Sequence, residues 1–294
     1  MITDLEAATP ALCRLQLGSE LRQLRLAAGL KGSQVVKRLL WSPSKLTRLE
    51  TGENTSVETA DVMALCEIYG VDLERRSVLL SYAAVTKTKR DWWLTPEYRQ
   101  VISPGLKAFL DLEATATAVQ NYQAEFVPGL LQTEAYIRAL NELAVNRPTD
   151  EEADMIAAIR TRRQDVLSRP ESPLKFTAII NEAVLLRPVG RRPVMRDQLG
   201  HIVDVVESRP NVRVQVVPFS VGAHSGMDGS FVLIQFPEKL SLKPMVYLEG
   251  LVDAWVKRGE RDVERYADAV SDLQALAPGP RESLHMIKEA IKEH

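Results

Sequence analysis

The sequence has no apolar run long enough to cross a membrane, since no stretch approaches the roughly 18 consecutive apolar residues of a spanning helix. Residues 1–18 also lack a basic segment followed by an apolar one, which is the pattern of a secretory signal peptide. There is no low-complexity tract, and hydrophobic residues at 45% with charged residues at 26% are typical of globular proteins. We therefore expect a folded cytoplasmic protein with no membrane association.

Residues that bind metals or cofactors are also scarce. The only two cysteines, Cys13 and Cys66, are far apart and lack the paired spacing of zinc ligands, so we interpret both as reduced core residues. The histidines are scattered along the chain: His201, His224, His285 and His294. No phosphate-binding glycine loop or HExxH helix occurs. The sequence predicts no metal site and no cofactor.

The charge of the chain is unevenly distributed. The net charge is -2, but residues 10–56 contain eight Lys or Arg against three acids and so carry +5, which leaves -7 for the remainder. A length of 294 residues favours two domains with separate cores. A surface that binds phosphate groups is therefore expected in a small N-terminal domain.

Three short helices are predicted in this basic segment. Residues 17–26 place leucines at i, i+4 and i+7, which indicates an amphipathic helix that ends at Gly29. Residues 33–40 form a second helix. Ser42 is then predicted as an N-cap and Pro43 as the first residue of the third helix, where a missing N–H costs nothing. Two helices joined by a tight turn, the second of which can enter the DNA major groove, form a helix-turn-helix.

Two further helices complete a five-helix domain. The first ends at Gly70, and the second is capped by Asp72 and runs through Ser81. Residues 85–91 contain several basic side chains and no apolar periodicity, so we predict a linker there. This places an all-α domain at residues 1–84.

Residues 42–52, S-P-S-K-L-T-R-L-E-T-G, resemble the recognition helix of the Xre family of regulators, which ends with Glu, one further residue and Gly. The resemblance matches Ser44 and Arg48 to positions that contact base edges, and Arg pairs well with guanine. The residues predicted to contact DNA are Gln34, Lys37, Ser42, Ser44, Lys45, Thr47 and Arg48.

The same resemblance implies that Arg25 pairs with Glu50 and ties the first helix to the third. Two positions depart from the family pattern. Gly32 stands where Gln is usual at the start of the second helix, and Leu40 occupies a turn position often held by Gly. A helical bundle that has lost DNA binding is the alternative.

Residues 92–294 are predicted as a mixed α/β domain with helices packed on a small mixed sheet. Residues 106–122 have a helical pattern, and strands are predicted at residues 175–180, 212–216, 230–236, 245–249 and 254–257. A helix at residues 194–207 separates the first two strands, which should therefore be parallel through a right-handed crossover.

Three ordered motifs give this region a second resemblance, namely V-P-G-L-L-Q-T at 127–133, E-A-V-L-L-R-P-V-G at 182–190 and V-P-F-S-V-G-A-H at 217–224. They resemble the C-terminal domain, of unknown function, in a large actinobacterial group of Xre regulators. The resemblance implies a small partner protein, encoded by a neighbouring gene, that binds and modulates the regulator. Double-stranded DNA and a second copy of the chain are the other expected partners, because one module buries too little DNA surface for tight binding.

The second domain contains possible partner-binding or ligand-binding residues: Glu182, Arg187, Arg191, Arg192 and His224. Glu182 follows a predicted strand, and ligands favour the carboxyl ends of parallel strands. The arginines could pair with acidic groups of a partner or simply solvate a loop.

No catalytic residue is predicted. The loop 222–230 contains His, Ser and Asp, but Ser225 lacks the pattern of a nucleophile elbow, and such residues are common in turns. We expect a DNA-binding transcriptional regulator that receives a signal from a partner protein. A sensor of a small metabolite and a DNA-tethered enzyme are the alternatives.

Overall fold

The computed structural model describes residues 8–98, 100–170, 172–238, 240, 242–251 and 253–294. The chain divides into two compact units, Met1–Arg99 with Phe236–Lys243, and Gln100–Gln235 with Pro244–His294. In the described residues the first unit is helical, and the second combines helices with a six-stranded mixed sheet. The predicted fold class, an all-α domain followed by a mixed α/β domain, is confirmed.

Within residues 8–98 the first unit has five α-helices, α1 Pro10–Ala27, α2 Gly32–Leu39, α3 Pro43–Thr51, α4 Thr59–Tyr69 and α5 Leu73–Thr88. Helix α1 begins earlier than predicted because the Thr9 side chain accepts a hydrogen bond from the Leu12 N–H and Pro10 occupies the first turn. Ser42 caps α3 in the same way, and Pro43 is its first residue as predicted.

The core of this unit is formed by the apolar faces of the five helices. Leu17 and Leu21 of α1 pack with Leu46 and Leu49 of α3, and all four are at least 95% buried. The leucine spacing that predicted an amphipathic helix thus corresponds to one buried side of α1.

The segment predicted as a linker differs from that expectation. Helix α5 continues to Thr88, and the buried Thr86 side chain accepts a hydrogen bond from the Val57 N–H. Asp91 accepts one from Arg14 of α1 at 3.0 Å, and both side chains are almost fully buried. Residues 85–91 are therefore part of the first unit, because a few buried contacts outweigh the polar composition that suggested a linker.

The sheet of the second unit has the order β3-β2-β1-β4-β5-β6. Its strands are β1 Ala118–Gln123, β2 Lys175–Asn181, β3 Val212–Val217, β4 Phe231–Gln235, β5 Met245–Glu249 and β6 Ala254–Lys257. Strands β1, β2 and β3 are parallel to one another, which confirms the predicted parallel pair, and β4 to β6 continue the sheet antiparallel.

The predicted helix at residues 106–122 is wrong in its second half. Helix α6, Pro104–Thr115, ends before Ala118, and β1 then lies in the interior of the sheet between β2 and β4. Hydrogen bonds to β2 and β4 satisfy the backbone N–H and C=O groups of β1. This stabilisation by distant strands outweighs the local helical pattern of the sequence.

The remaining helices of the second unit are α7 Glu134–Glu142, α8 Asp150–Arg163, α9 Ala183–Leu186, α10 Arg192–Ser208, α11 Glu260–Leu276 and α12 Pro280–Glu293. Val270 and Leu273 of α11 pack on one sheet face with Tyr122 and Val246. On the opposite face, Phe109 of α6 stacks on Tyr247 at 4.5 Å between ring centroids. None of the helices described is long and apolar enough to cross a membrane.

Candidate functional site

The turn between α2 and α3 contains a strained residue. Leu40 has φ of 55°, in the left-handed region, and its side chain is 93% exposed. The Trp41 N–H then donates to the Val36 carbonyl oxygen, and Ser42 starts α3. The turn has the geometry that the sequence predicted, with Leu where glycine is usual.

Helix α3 presents a polar face to solvent. Leu46 and Leu49 are buried, whereas Ser44, Thr47 and Arg48 are exposed. The Thr47 hydroxyl donates to the Pro43 carbonyl oxygen at 3.0 Å. Among the described residues, Arg48 has no side-chain partner, so its guanidinium donors remain available for a ligand.

Lys45 differs from the other predicted DNA-contacting residues of α3, because two groups of the same unit hold its ammonium group. Its Nζ lies 2.8 Å from Asp61 Oδ1 of α4 and 4.0 Å from the centroid of the Trp41 ring. A contact between Lys45 and DNA would have to compete with both interactions. This contact could not be predicted from the sequence because Asp61 lies on another helix.

Helix α2 adds basic side chains to the same unit. Lys37 and Arg38 are exposed in its last turn, and neither has an acidic partner among the residues described. The Gln34 side chain accepts a hydrogen bond from the Lys31 N–H at 2.8 Å and so caps the helix. Lys37 and Arg38 are therefore free to approach phosphate groups. The Gln34 side chain, in contrast, stabilises the N-terminus of α2.

Arg25 and Glu50 form a two-bond ion pair. Arg25 Nε and Nη2 donate to the two oxygens of Glu50 at 2.6 and 2.8 Å, and Nη1 donates to the Leu30 carbonyl oxygen at 2.9 Å. The hydrogen bond with Glu50 is the main cause of a raised pKa for Arg25. This pair connects the end of α1 to the end of α3.

A close approach of α1 and α3, not predicted from the sequence, fixes the position of α3. A Cβ atom on Gly18 would lie 2.5 Å from the Leu49 carbonyl oxygen. Gly52, with φ of 74°, ends α3, and a Cβ there would lie 3.0 Å from the Leu15 Cα. Only glycine allows the two backbones to come this close.

In the second unit, His224 and Glu182 lie at the carboxyl edge of β2. His224 Nδ1 accepts a hydrogen bond from the Gly226 N–H at 3.1 Å, and its Nε2 lies 3.4 Å from Asn181 Nδ2. Asn181 Oδ1 accepts from the Ala183 N–H, so its amide nitrogen faces the imidazole. Glu182 accepts from the Phe219 N–H at 2.6 Å, which ties two loops together.

The predicted arginines of this unit lie at the end of α9 and at the start of α10. Arg187 pairs with Glu125 at 2.8 Å, and both side chains are about half exposed. Arg191 and Arg192 are exposed at the start of α10. An exposed ion pair such as Arg187–Glu125 contributes little to stability.

A cavity of about 260 Å³ lies between α9 and α12. Its apolar lining includes Leu185, Leu186 and Met286, and the acids Glu182, Glu289 and Glu293 also line it. Leu186 is 46% exposed. The cavity combines exposed apolar surface with carboxylates, and the sequence did not indicate it because its two helices are a hundred residues apart.

The described residues contain no group of three or more potential metal ligands. Cys13 and Cys66 are free and buried, in agreement with their interpretation as reduced core residues. Burial raises the pKa of Cys13 to about 12 and also raises that of Cys66, which makes both thiols weak nucleophiles.

Two family models match the chain. The model of the Domain of unknown function (DUF5753) matches residues 106–289, which is more than half of the 294 residues, and a Helix-turn-helix domain model matches residues 16–79. No curated protein and no solved structure matches the chain. The matched helix-turn-helix region includes α2, α3 and the Arg25–Glu50 pair, and such domains are typical of DNA-binding regulators.

Proposed function

This chain belongs to the DUF5753 family, and we propose that it is a cytoplasmic, sequence-specific transcriptional regulator of the Xre type, as found in actinobacteria. The observation that carries the proposal is the solvent-facing side of α3 within the matched helix-turn-helix domain. Arg48 is exposed there without a side-chain partner among the described residues. An unpaired arginine on this helix is suited to contact guanine in the major groove.

In this proposal, bases and phosphates are contacted by different side chains. Ser44, Thr47 and Arg48 contact base edges, and Lys37 of α2 contacts phosphate groups. Gln34 and Ser42 act mainly through the helix N-termini that they cap, since their oxygens accept backbone N–H bonds. Lys45 contributes only by exchanging Asp61 for a phosphate group.

Selection from randomised DNA duplexes with the full-length protein tests this function. We expect enrichment of a sequence with two related half-sites about 34 Å or a multiple apart, because two chains bind one duplex. Recovery of duplexes without any common sequence would contradict sequence-specific binding.

We further propose that the second unit receives its signal from a small protein encoded by a neighbouring gene, and that this partner binds at the cavity between α9 and α12. The exposed Leu186 and the apolar lining around it favour an apolar partner segment. Glu293 favours a basic side chain beside that segment, whereas Glu289 already accepts a hydrogen bond from Lys292 at 2.7 Å.

The partner site can be tested with two matched variants in purification from native cells. Leu186→Asp places a charge at the cavity, whereas Leu276→Asp changes an equally exposed leucine of α11, 42% against 46%. We expect a single small protein to be retained by the wild type and by Leu276→Asp and lost with Leu186→Asp. Equal retention by both variants would place the partner elsewhere.

Regulation is favoured over catalysis by the surroundings of His224. The one accepting nitrogen of the neutral imidazole, Nδ1, already accepts the Gly226 N–H at 3.1 Å, so Nε2 carries the proton and no free lone pair faces a substrate. Replacing His224 with Gln should therefore leave the affinity for DNA unchanged. It should also leave any enzymatic turnover of the purified chain unchanged.

A further inference from the structure

The two edges of the six-stranded sheet differ in how they are covered. At one edge, α12 packs against β3, and the Val216 N–H of β3 donates to the hydroxyl of the fully buried Ser283 at 3.0 Å. At the other edge, β6 pairs only with β5 among the strands described. An uncovered strand edge presents backbone donors and acceptors with which another chain can pair.

The hydrogen bonds of the β5–β6 hairpin show which backbone groups of β6 point outward. The Gly250 N–H donates to the Asp253 carbonyl oxygen at 2.8 Å, in register with the pairing of Leu248 and Trp255. Because hydrogen-bonded pairs alternate along antiparallel strands, Trp255 bonds to β5, and the N–H and C=O groups of its two neighbours, Ala254 and Val256, point to the free edge. No described residue accepts a hydrogen bond from either of these two N–H groups.

The apolar side chains near this edge are unusual for a strand that stays unpaired. Trp255 is 51% exposed, and Leu251, in the turn before β6, is 91% exposed. Trp255 is paired with Leu248, so it lies on the sheet face that packs against α11. Strand edges that remain free are usually protected by charges or proline, whereas an exposed tryptophan is typical of a surface that a partner covers.

The charges around β6 are complementary to those of a second copy that runs antiparallel to it. Asp253 and Lys257 are exposed, two positions before and two positions after Trp255, and neither has a side-chain partner among the described residues. If two copies pair with Trp255 at the centre, Asp253 of each copy lies opposite Lys257 of the other. Ala254 then lies opposite Val256, and these two residues can exchange both of their backbone hydrogen bonds.

We propose that β6 pairs antiparallel with β6 of a second copy of this chain, so that two sheets join into one. Trp255 of each copy then faces the other at the two-fold axis, at a non-hydrogen-bonded position where side chains are closest and aromatic pairs add stability. The same surface serves on both chains, as in most closed dimers. The proposal deepens the proposed function and rests on it for its meaning, because it names the contact that joins two chains on one duplex.

Sedimentation equilibrium of the full-length chain without DNA tests this interface. We expect the wild type to dimerise with a Kd in the micromolar range, because a short strand pair buries less surface than a standard interface. A wild type that stays monomeric at all concentrations overturns the proposal, even if it still selects a DNA sequence. A dimer that selects no DNA sequence supports the interface and contradicts only the proposed function.

Val256→Pro removes one of the outward N–H groups. Proline is tolerated on an edge strand where the N–H faces solvent, so the chain should keep its fold, as circular dichroism can verify. We expect this variant to be monomeric at concentrations where the wild type is a dimer. A dimer of unchanged Kd would overturn pairing through this edge.

Charge reversal tests the register of the two strands. Replacing Lys257 by a neutral residue only removes an exposed ion pair, which contributes little, so the test reverses charges instead. Asp253→Lys places lysines opposite each other twice and should weaken dimerisation about tenfold. Adding Lys257→Asp to that variant should restore the wild-type Kd.

The recovery is specific to contact between two chains. Within one strand, residues 253 and 257 are about 13 Å apart, too far for their side chains to pair. A double variant that dimerises no better than Asp253→Lys alone would overturn the proposed pairing.

Discussion

At the scale of single residues, the α2–α3 turn combines strain with exposure. Leu40 has φ of 55° and a side chain that is 93% exposed. A non-glycine residue in this region costs roughly 1–2 kcal/mol, and almost no apolar burial offsets that cost here. The strain lies at the turn that positions α3, as is common at functional segments.

Leu40→Gly should therefore raise the free energy of unfolding by about 1 kcal/mol, part of the relief being offset by the greater freedom of glycine in the unfolded chain. Urea unfolding measures the change. Leu26→Gly is the control, because Leu26 is also exposed but lies in the regular helix α1, where glycine costs about 1 kcal/mol. A loss of stability in both variants would contradict the strain at Leu40.

The buried thiols give a prediction with a defined pH range. Burial raises the pKa of Cys13 to about 12, above the value of 9.0 for an exposed thiol. The folded state therefore resists ionisation, and the stability that Cys13 contributes is complete below pH 9 and is lost as the pH rises towards 12. We expect neither thiol to react with iodoacetamide at pH 8 until urea unfolds the protein. Fast labelling of the native chain would show that a cysteine is accessible.

At the scale of the elements, the position of α3 depends on its close contact with α1. Gly18 allows this contact at the C-terminal end of α3, and Arg25, near the end of α1, pairs with Glu50 at that same end. Helix propensity alone would favour alanine at position 18, so the glycine is explained by packing and not by local structure.

Gly18→Ala should lower the free energy of unfolding by about 1–3 kcal/mol, because the added methyl group forces the backbones apart. Gly200→Ala is the matched control, since Gly200 lies in α10 with no atom within 4 Å of its added Cβ. That change should raise stability by about 0.5–1 kcal/mol. Equal effects of both changes on the denaturation midpoint would argue against a required contact between α1 and α3.

The sequence predicted those elements whose signals are local. Ser42 and Pro43 defined the start of α3, and alternating valines defined β3. The prediction from sequence failed for β1, where pairing with distant strands decides the structure. It also failed for residues 85–91, where burial against α1 decides it. For the candidate site, the exposed face of α3 could be predicted, whereas the Lys45–Asp61 contact could not, because it depends on how α4 packs.

At the scale of the whole molecule, positive charge is concentrated in a small part of the chain. Residues 10–56 of the first unit carry +5 and the rest of the chain -7, so we expect the surface that approaches DNA to lie in that segment. The acidic remainder includes the DUF5753 region, with its cavity between α9 and α12.

Lys37→Ala should weaken binding to all duplexes about equally and reduce the salt dependence, the slope of log K against log salt concentration, by about 1. Titrations at several potassium chloride concentrations measure this slope. Lys257→Ala, which removes an exposed lysine of β6, should leave it unchanged. If the two variants behave alike, Lys37 does not contact phosphate groups.

The most direct test of the central claim compares wild type and Arg48→Ala in binding to the selected duplex and to each of its single-base variants. If α3 contacts base edges, Arg48→Ala should lose about 1–3 kcal/mol of binding free energy and lose the preference for one base pair only. Sequence recognition by this helix would be contradicted if Arg48→Ala left the discrimination between bases unchanged at every position. It would also be contradicted if the wild type bound no duplex.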